Sequence, residues 1–554
     1  MRAAVSALDP AAEATDADRL LARITAGPGG HLSLSIYETA RLVRLAPWVW
    51  GHHARIDYLM ARQQRDGAWG GPGIDALVPT LSATEALLHL ACAQDRPSIH
   101  AESRTDAADL LAAAADRGLR ALRDLLGAPS RRPPSTLGAG TLVPHLIGEI
   151  NRRLCRCERP QAAHRRLERH SPLPAPHQAP ARPAFSPGEP APSRASGPRP
   201  AAGHLLEATG EADRGAAALH PVDGAVGGSP AATAAWVARR RADERAPACA
   251  RWLDHFARRH GGPVPSLWAA AEFEQAQVVA ALARGGLAAA VPPALRNRIR
   301  RSVARGATGP APGLPSACET TSTMLYALTT LREDVPIEIL QRFETATHFQ
   351  GWHGESLPST AANAHALEAF GSHIALHPHR RARHAPAIAK ITRWLRGHQR
   401  HSGHWDDPWH VSPYYATYCA VLALSRYGDD DEDAAVTRAI RWVHTTQRPD
   451  GSWGVWNGTA EETAYALHTV LAAPYQASPV TLVKGAAALR RLSSTGGDHP
   501  PLWRGKDLCA PSAVIDAVIL TATHRLRTRS TLTQRKILGR SLTDPWPRDP
   551  ANHP

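Results

Sequence analysis

One carboxyl group, Glu319, stands in the stretch Ala317-Cys-Glu-Thr-Thr-Ser322, followed directly by three hydroxyl residues. A loop rich in Pro and Gly, Gly309 to Pro315, runs into it. Behind it Met324, Leu325 and Leu328 recur at helical spacing. An acid at the start of a helix ordinarily complements the helix dipole and caps free N–H groups. Its other use is acid–base chemistry. A second acidic feature, the pair Asp406 and Asp407, suggests a metal site, but such a pair in a turn is usually only solvated. Cys155 and Cys157 lie close together with no second Cys pair at zinc spacing, so no structural metal is read from the cysteines.

The elements that must position these groups are helical. Ala11 to Ile24 is an amphipathic helix, and Ser33-Leu-Ser-Ile-Tyr-Glu-Thr-Ala-Arg-Leu begins another. Short helices alternate with Gly/Pro turns from there to about residue 151. Among them are Ser82 to Ala93, with Ser82 and Glu85 at capping-box spacing, and Ala107 to Leu126. Alternating strand-like runs are scarce, and the chain reads as all-α. Its 554 residues exceed one ordinary core, so two or more domains are expected.

The segment Cys155 to Pro200 breaks the pattern, with eleven Pro, no Lys, no Asp and no helical apolar period. Two readings stand side by side, a disordered or polyproline-like insert and a shifted reading frame in a GC-rich gene; neither gives it a fold. Helical text resumes at Ser229-Pro-Ala-Ala-Thr and runs to about Arg527. The polar, Pro-ended tail from Ser530 reads as loose.

The net charge is +14, almost all of it from Arg. Residues 152–200 hold ten Arg against three Glu, half of that excess, and no basic stripe interleaved with aromatics appears elsewhere. Nucleic acid is therefore not an expected partner. No apolar run approaches a membrane span, and Met1 to Gly27, with Asp9, Glu13, Asp16 and Asp18, is not a signal peptide. With seven scattered Cys, the expected compartment is the reducing cytoplasm.

Self-comparison yields a repeat. Tyr58-Leu59 is followed by Gln63, Gly67 and Trp69; Trp394-Leu395 by Gln399, Gly403 and Trp405; Trp442-Val443 by Gln447, Gly451 and Trp453. A worn copy begins at Trp252-Leu253, with Ala257 at the Gln position, Gly261 in place and Pro263 where Trp would be. The spacing predicts a helix end, a tight turn at Gly and a Gln amide bonding a neighbouring helix. These residues are read as braces. The excess of Trp, fifteen against six Phe, fits a repeated role of this kind.

The template resembles the QW motif of the terpene cyclase and squalene–hopene cyclase superfamily. Further stretches extend the resemblance. Ser35-Ile-Tyr-Glu-Thr-Ala-Arg-Leu-Val-Arg-Leu is similar to the family's S-x-Y-D-T-A-W-V-A-R-L opening. Leu77-Val-Pro-Thr-Leu-Ser-Ala-Thr-Glu, Asp223-Gly-Ala-Val-Gly-Gly-Ser-Pro, Ser359-Thr-Ala-Ala-Asn-Ala-His-Ala-Leu-Glu, His410-Val-Ser-Pro-Tyr-Tyr, Gly458-Thr-Ala-Glu-Glu-Thr and Leu502-Trp-Arg-Gly-Lys-Asp-Leu continue it. As a set they resemble bacterial class II diterpene cyclases of the copalyl diphosphate synthase type, over most of residues 33–525 except 155–200.

The resemblance implies two α/α-barrel domains, β and γ, with the active-site cavity between them. Residues 1–30 are then an N-terminal helix packing with the β domain. Residues 31–290 form the γ-like domain, with 155–200 outside its fold; 291–527 form the β-like domain with the acid motif; 528–554 are the tail. The implied reaction is protonation-initiated cyclisation of geranylgeranyl diphosphate to a bicyclic labdane- or halimane-type diphosphate, with the diphosphate retained. Mg2+ is the implied cofactor and a downstream class I terpene synthase an implied partner. A triterpene cyclase acting on a neutral hydrocarbon is disfavoured by the few QW copies and the shorter chain.

The family protonates the alkene with the middle Asp of a D-x-D-D or D-x-D-T-T motif. Matching Thr320-Thr321 to the second form puts Glu319 on the proton donor and Ala317 on the first Asp. A rival register puts Ser316, Cys318 and Glu319 on the Asp positions and leaves no central acid. In the preferred register the acid is a methylene too long and its partner carboxyl is missing, so a catalytically impaired member is the alternative function. Asn363 and His365 are candidates to bond the acid or to act as terminating base. Lys506 and Arg504 are candidates for the diphosphate. Trp409, Tyr414 and Trp456, with Tyr415 and Tyr465, are candidates to line the cavity. No Mg2+ ligand is assigned.

Overall fold

The structure, a computed structural model, describes residues 10–27, 30–93, 102–127, 138–155, 167, 170–175, 203–209, 219–266, 271–287, 291–353, 357–428, 434–472, 478–494 and 499–540. It is helical almost throughout. The first half carries α1 (Pro10–Ala26), α2 (Ile36–Leu45), α3 (His52–Ala61), α4 (Leu77–Ala93), α5 (Glu102–Gly127), α6 (Ala139–Leu154), α7 (Pro230–Arg239) and α8 (Ala246–Arg259). The second carries α9 (Ala271–Gly285), α10 (Pro293–Ala304), α11 (Cys318–Thr330), α12 (Thr360–Leu376), α13 (Arg381–His398), α14 (Pro413–Tyr427), α15 (Ala434–Thr445), α16 (Ala460–Ala472), α17 (Pro479–Ser494) and α18 (Ser512–Arg540). A short antiparallel hairpin, β1 (Trp503–Arg504) and β2 (Leu508–Cys509), precedes α18.

Six helices of the second half close a ring: α9 packs on α11, then α12, α14, α16 and α18 follow, and α18 returns to α9. Four of these helices, α11, α12, α14 and α16, are buried on nearly every face; in α11 Glu319 is the residue least covered before the last turn. Amphipathic α10, α13, α15 and α17 cover the ring from outside, and α1 lies against α9 and α18. The domain boundary expected at residue 290 places α9 in the first half; packing places it in the second ring. In the first half α4 is central, contacting α2, α5 and α6, while α7 joins α2 to α8.

The repeat is visible in the backbone. The three Gly, at 67, 403 and 451, have φ of 89°, 104° and 87°. A Cβ on each would meet a carbonyl oxygen at 2.5 Å, that of Arg117, Arg438 and Lys484 respectively. Each Trp donates its indole N–H to the aliphatic residue of its own template, Leu59 (2.7 Å), Leu395 (2.7 Å) and Val443 (2.8 Å). Each Gln amide bonds the Gly carbonyl and a carbonyl two helices on, at Ala114 of α5, Ala435 of α15 and Thr481 of α17.

Helix starts follow a second rule. Ser35, Ser229 and Ser359 are N-caps, each accepting from a backbone N–H three residues on. A carboxylate from elsewhere then binds both the Ser hydroxyl and another free N–H: Asp507 at Ser35 and Tyr37, Glu38 at Ser229 and Ala231, Asp407 at Ser359 and Ala361. Distant segments are thereby locked to helix ends.

Two expectations change. Part of 155–200 does pack: Leu167 and Leu173 are buried in the first core, and Leu173 exchanges two hydrogen bonds with the Asn151 side chain. The remainder of that segment, 156–166, 168–169 and 176–200, lies outside the described residues. The last helix runs through 527 to Arg540, so the tail expected to be loose begins as helix; residues 541–554 lie outside the described residues.

Candidate active site

Glu319 occupies the first turn of α11, where Ala317 is the N-cap and offers no side-chain bond. Its carboxylate does not serve the helix end but points across the ring. Tyr415 of α14 donates its hydroxyl to Oε1 at 2.7 Å, and Gln277 of α9 donates an amide N–H to the same oxygen at 3.4 Å. His365 of α12 brings Nε2 to 3.8 Å. The side chain is 14 % exposed, toward a cavity. Burial raises its pKa above the usual carboxylate range; His365 pulls it down, Asp407 pushes it up, and the Tyr415 bond pulls it down.

His365 is itself held from behind. Its Nδ1 lies 2.9 Å from Glu368 Oε2 and 3.0 Å from Arg284. Arg284 grips Glu368 with two bonds, at 2.8 and 2.6 Å. Although burial opposes ionisation of Glu368, Arg284 and His365 hold its pKa down at about 2. Glu368 and Arg284 both meet Nδ1, which orients the ring with Nε2 toward Glu319.

The cavity encloses about 1210 Å3 of empty space, its open mouth included. Its wall is built from the N-terminal ends of α11 and α12, the hairpin, and His204 and Ser266 of the first half. Among the described residues that line it, Glu319 is the one carboxylate. Around it stand Phe273, Trp352, Trp409 and Trp503. Trp352 and Trp409 have ring centroids 4.7 Å apart, and Trp503 lies 4.7 Å from the ring of Tyr415. A dry pocket with one weak acid and several π faces can protonate an apolar substrate and shelter the resulting cation.

Residues 356–498 match the squalene–hopene cyclase C-terminal domain. The chain is 36% identical to an ent-copalyl diphosphate synthase from Streptomyces sp. (strain KO-3988), over 92% of this chain and 96% of that protein. It is 38% identical to a labda-7,13-dienyl diphosphate synthase of Streptomyces clavuligerus, over 93% of each. The solved structure of ent-copalyl diphosphate synthase from Streptomyces platensis superposes with a TM-score of 0.80 at 36% identity, covering 93% of this chain and all of that one. This chain belongs to the bacterial class II diterpene cyclases.

The cyclase brings only some of the expected site residues together. Glu319 and Ala317 both line the cavity, whereas Cys318, the centre of the rival register, is buried with its Sγ 3.7 Å from the Ser322 hydroxyl. His365 reaches the acid. Asn363 does not: its amide is spent on both backbone groups of Phe349 and on the Ser359 carbonyl.

Trp409 and Arg504 are in the wall. Arg504 leans on the carbonyls of Pro408 and His410, at 3.5 and 3.4 Å. Lys506 borders the cavity but is fully buried, with Glu207 at 2.7 Å, Ser229 at 2.7 Å and Glu38 at 2.9 Å around its ammonium. Its charge is thus already matched inside the protein. Tyr414 turns away to pack on Trp442 at 4.7 Å, and Trp456 sits half-buried in a turn that is not part of the cavity wall.

Asp407 is spent on Ser359, Ala361 and Trp409, and Asp406 on Arg400, so the acidic pair is structural. Mg2+ binds through one or two carboxylates plus substrate oxygens. Among the described residues the cavity wall offers only Glu319, which the acid role takes, and no further carboxylate for that ion.

Gln277, Arg284, Glu368, Trp352, Phe273 and Trp503 were not singled out from the sequence, and Tyr415 only as a cavity aromatic. Glu368 carried a signal, lying three residues after His365 on one helix face. Arg284 and Gln277 carried none.

Proposed function

We propose that the chain cyclises geranylgeranyl diphosphate to a bicyclic labdane- or halimane-type diphosphate, with Glu319 as the proton donor and the diphosphate retained. What carries the reading is Glu319 itself, a carboxyl with raised pKa in the wall of an aromatic cavity, bonded by Tyr415 and Gln277. Both donors engage Oε1, so the acidic proton belongs on Oε2, free to face the terminal alkene. Proton transfer leaves a carboxylate, whose charge the same two donors and His365 stabilise. The tertiary cation is attacked in turn by two further double bonds under the faces of Trp352, Trp409 and Trp503. Loss of a proton from the last cation restores an alkene, so substrate and product are isomers. The likeness to copalyl and labdadienyl diphosphate synthases supports the substrate class.

The test is incubation with geranylgeranyl diphosphate, phosphatase treatment and mass analysis of the released alcohol. A bicyclic alcohol is expected from the intact chain and only geranylgeraniol from Glu319→Gln. A bicyclic product from the variant would sink the assignment.

The reading of an impaired enzyme rests on a separate observation. Ala317 stands in the cavity wall where a carboxyl would flank the acid, and Glu319 is one methylene longer than Asp. A misplacement near 1 Å costs on the order of a hundredfold in rate. The double variant Ala317→Asp with Glu319→Asp is expected to turn over faster than the intact chain; an unchanged or lower rate would count against this register.

A further inference from the structure

We propose that Asp334, His373 and His377 form a binding site for a divalent transition metal of the Zn2+ class, at the end of the second barrel remote from Glu319. His373 lies in the last turn of α12 and His377 caps its C-terminus, four residues on and therefore on the same face. Asp334 comes from the loop that follows α11. One ligand atom from each of the three residues lies within 4.8 Å of the others.

The donors are poised for a cation. His373 is fully buried, and its Nδ1 has no hydrogen-bond partner. His377 Nε2 lies 3.2 Å from Asp334 Oδ1 but is not aligned for a hydrogen bond. An unpaired imidazole nitrogen away from water is costly, and a metal beside Asp334 would satisfy Nε2 of His377. Access exists, because the Asp334 side chain is 63 % exposed.

A cation already stands at the site. Arg380 places Nη1 3.2 Å from His373 Nε2 and 3.4 Å from Asp334 Oδ1. It belongs to the short turn Pro378–Arg380 and its side chain is about a third exposed, so it can swing into solvent. The donor set selects the metal. Two imidazoles and one carboxylate suit Zn2+, with water as fourth ligand, whereas Mg2+ asks for oxygen donors throughout. Ligands about 2.1 Å from Zn2+ stand roughly 3.4 Å apart in a tetrahedron, and His377 Nε2 and Asp334 Oδ1 already stand 3.2 Å apart.

The site is separate from the acid chemistry. Glu319 opens α11 and Asp334 follows its end; thirteen residues at about 1.5 Å each put roughly 20 Å between them. A metal here would tie the loop after α11 to the end of α12 and so tighten the ring.

The test uses the full chain without a histidine tag, titrated with Co2+ and followed by visible absorption, with Zn2+ competition and thermal melting. One Co2+ per chain is expected, displaced by Zn2+ and not by Mg2+, and Zn2+ should raise Tm. Asp334→Asn and His377→Gln, both at accessible positions, should each weaken Co2+ about tenfold or more. Arg380→Ala should tighten it, since a competing cation is gone. No Co2+ band in the intact chain, or unchanged affinity in both ligand variants, overturns the proposal.

Discussion

At the scale of the residue, Glu319 works against a balance between burial and its donors. Tyr415 donates to Oε1 and so favours the ionised form, lowering a pKa that burial has raised. Removing that bond in Tyr415→Phe raises the pKa further. The protonated donor then survives to higher pH, but its conjugate base is less stabilised. The alkaline limb of the pH–rate profile is expected to move up while the maximal rate falls; a profile unmoved in both respects would show that Tyr415 only packs. The same sign applies to stability. A carboxyl whose folded pKa lies above its unfolded one, near 4.5, destabilises the fold as pH rises through that interval. The Glu319→Gln variant should therefore melt higher than the intact chain at neutral pH while making no product.

At the scale of the element, the QW brace joins a helix end, a left-handed Gly and the flank of the helix two further along the chain. Gly451 has φ of 87°, and a Cβ there would sit 2.5 Å from the Lys484 carbonyl of α17. Side chains rarely adopt that conformation, and backbone has no room to yield. Gly451→Ala is expected to cost roughly 1–3 kcal/mol in denaturant unfolding. Its effect on turnover at low temperature should be small, because the brace lies on the outside of the ring. The positions of these braces were legible from spacing alone, since each Gln, Gly and Trp acts within one turn of chain. The carbonyls they bind, at Ala114, Ala435 and Thr481, were not, because those lie two helices further along the chain.

At the scale of the whole molecule, one buried ammonium couples the two halves. Lys506 in the second half is surrounded by Glu38, Glu207 and Ser229 of the first, with the Tyr37 ring 5.2 Å away. Burial pushes the pKa of Glu38 up and Lys506 pulls it back. Removing the cation strands two buried carboxyl groups, which typically costs about 3–5 kcal/mol. Lys506→Met is expected to lower Tm sharply, and adding Glu38→Gln and Glu207→Gln should recover most of the loss. Were Lys506 instead a diphosphate contact, the single variant would keep its Tm and lose substrate affinity.

What the sequence by itself determined is what the chain carries locally. Helical periods, Ser caps and the QW spacing act over a few residues, and they placed the helices, the braces and the window around Glu319. The division into two barrels, the packing of the N-terminal helix and the role of the acid motif followed from family-like text. Tertiary structure alone decided which groups meet. Tyr415 and Gln277 reach Glu319 from 96 and 42 residues away, and Arg284 reaches Glu368 from 84. Ring closure also moved α9 into the second barrel, matched Lys506 inside the protein and spent Asn363 on Phe349. Helix packing fixes such pairings through shape and burial, which no spacing along one strand of sequence encodes.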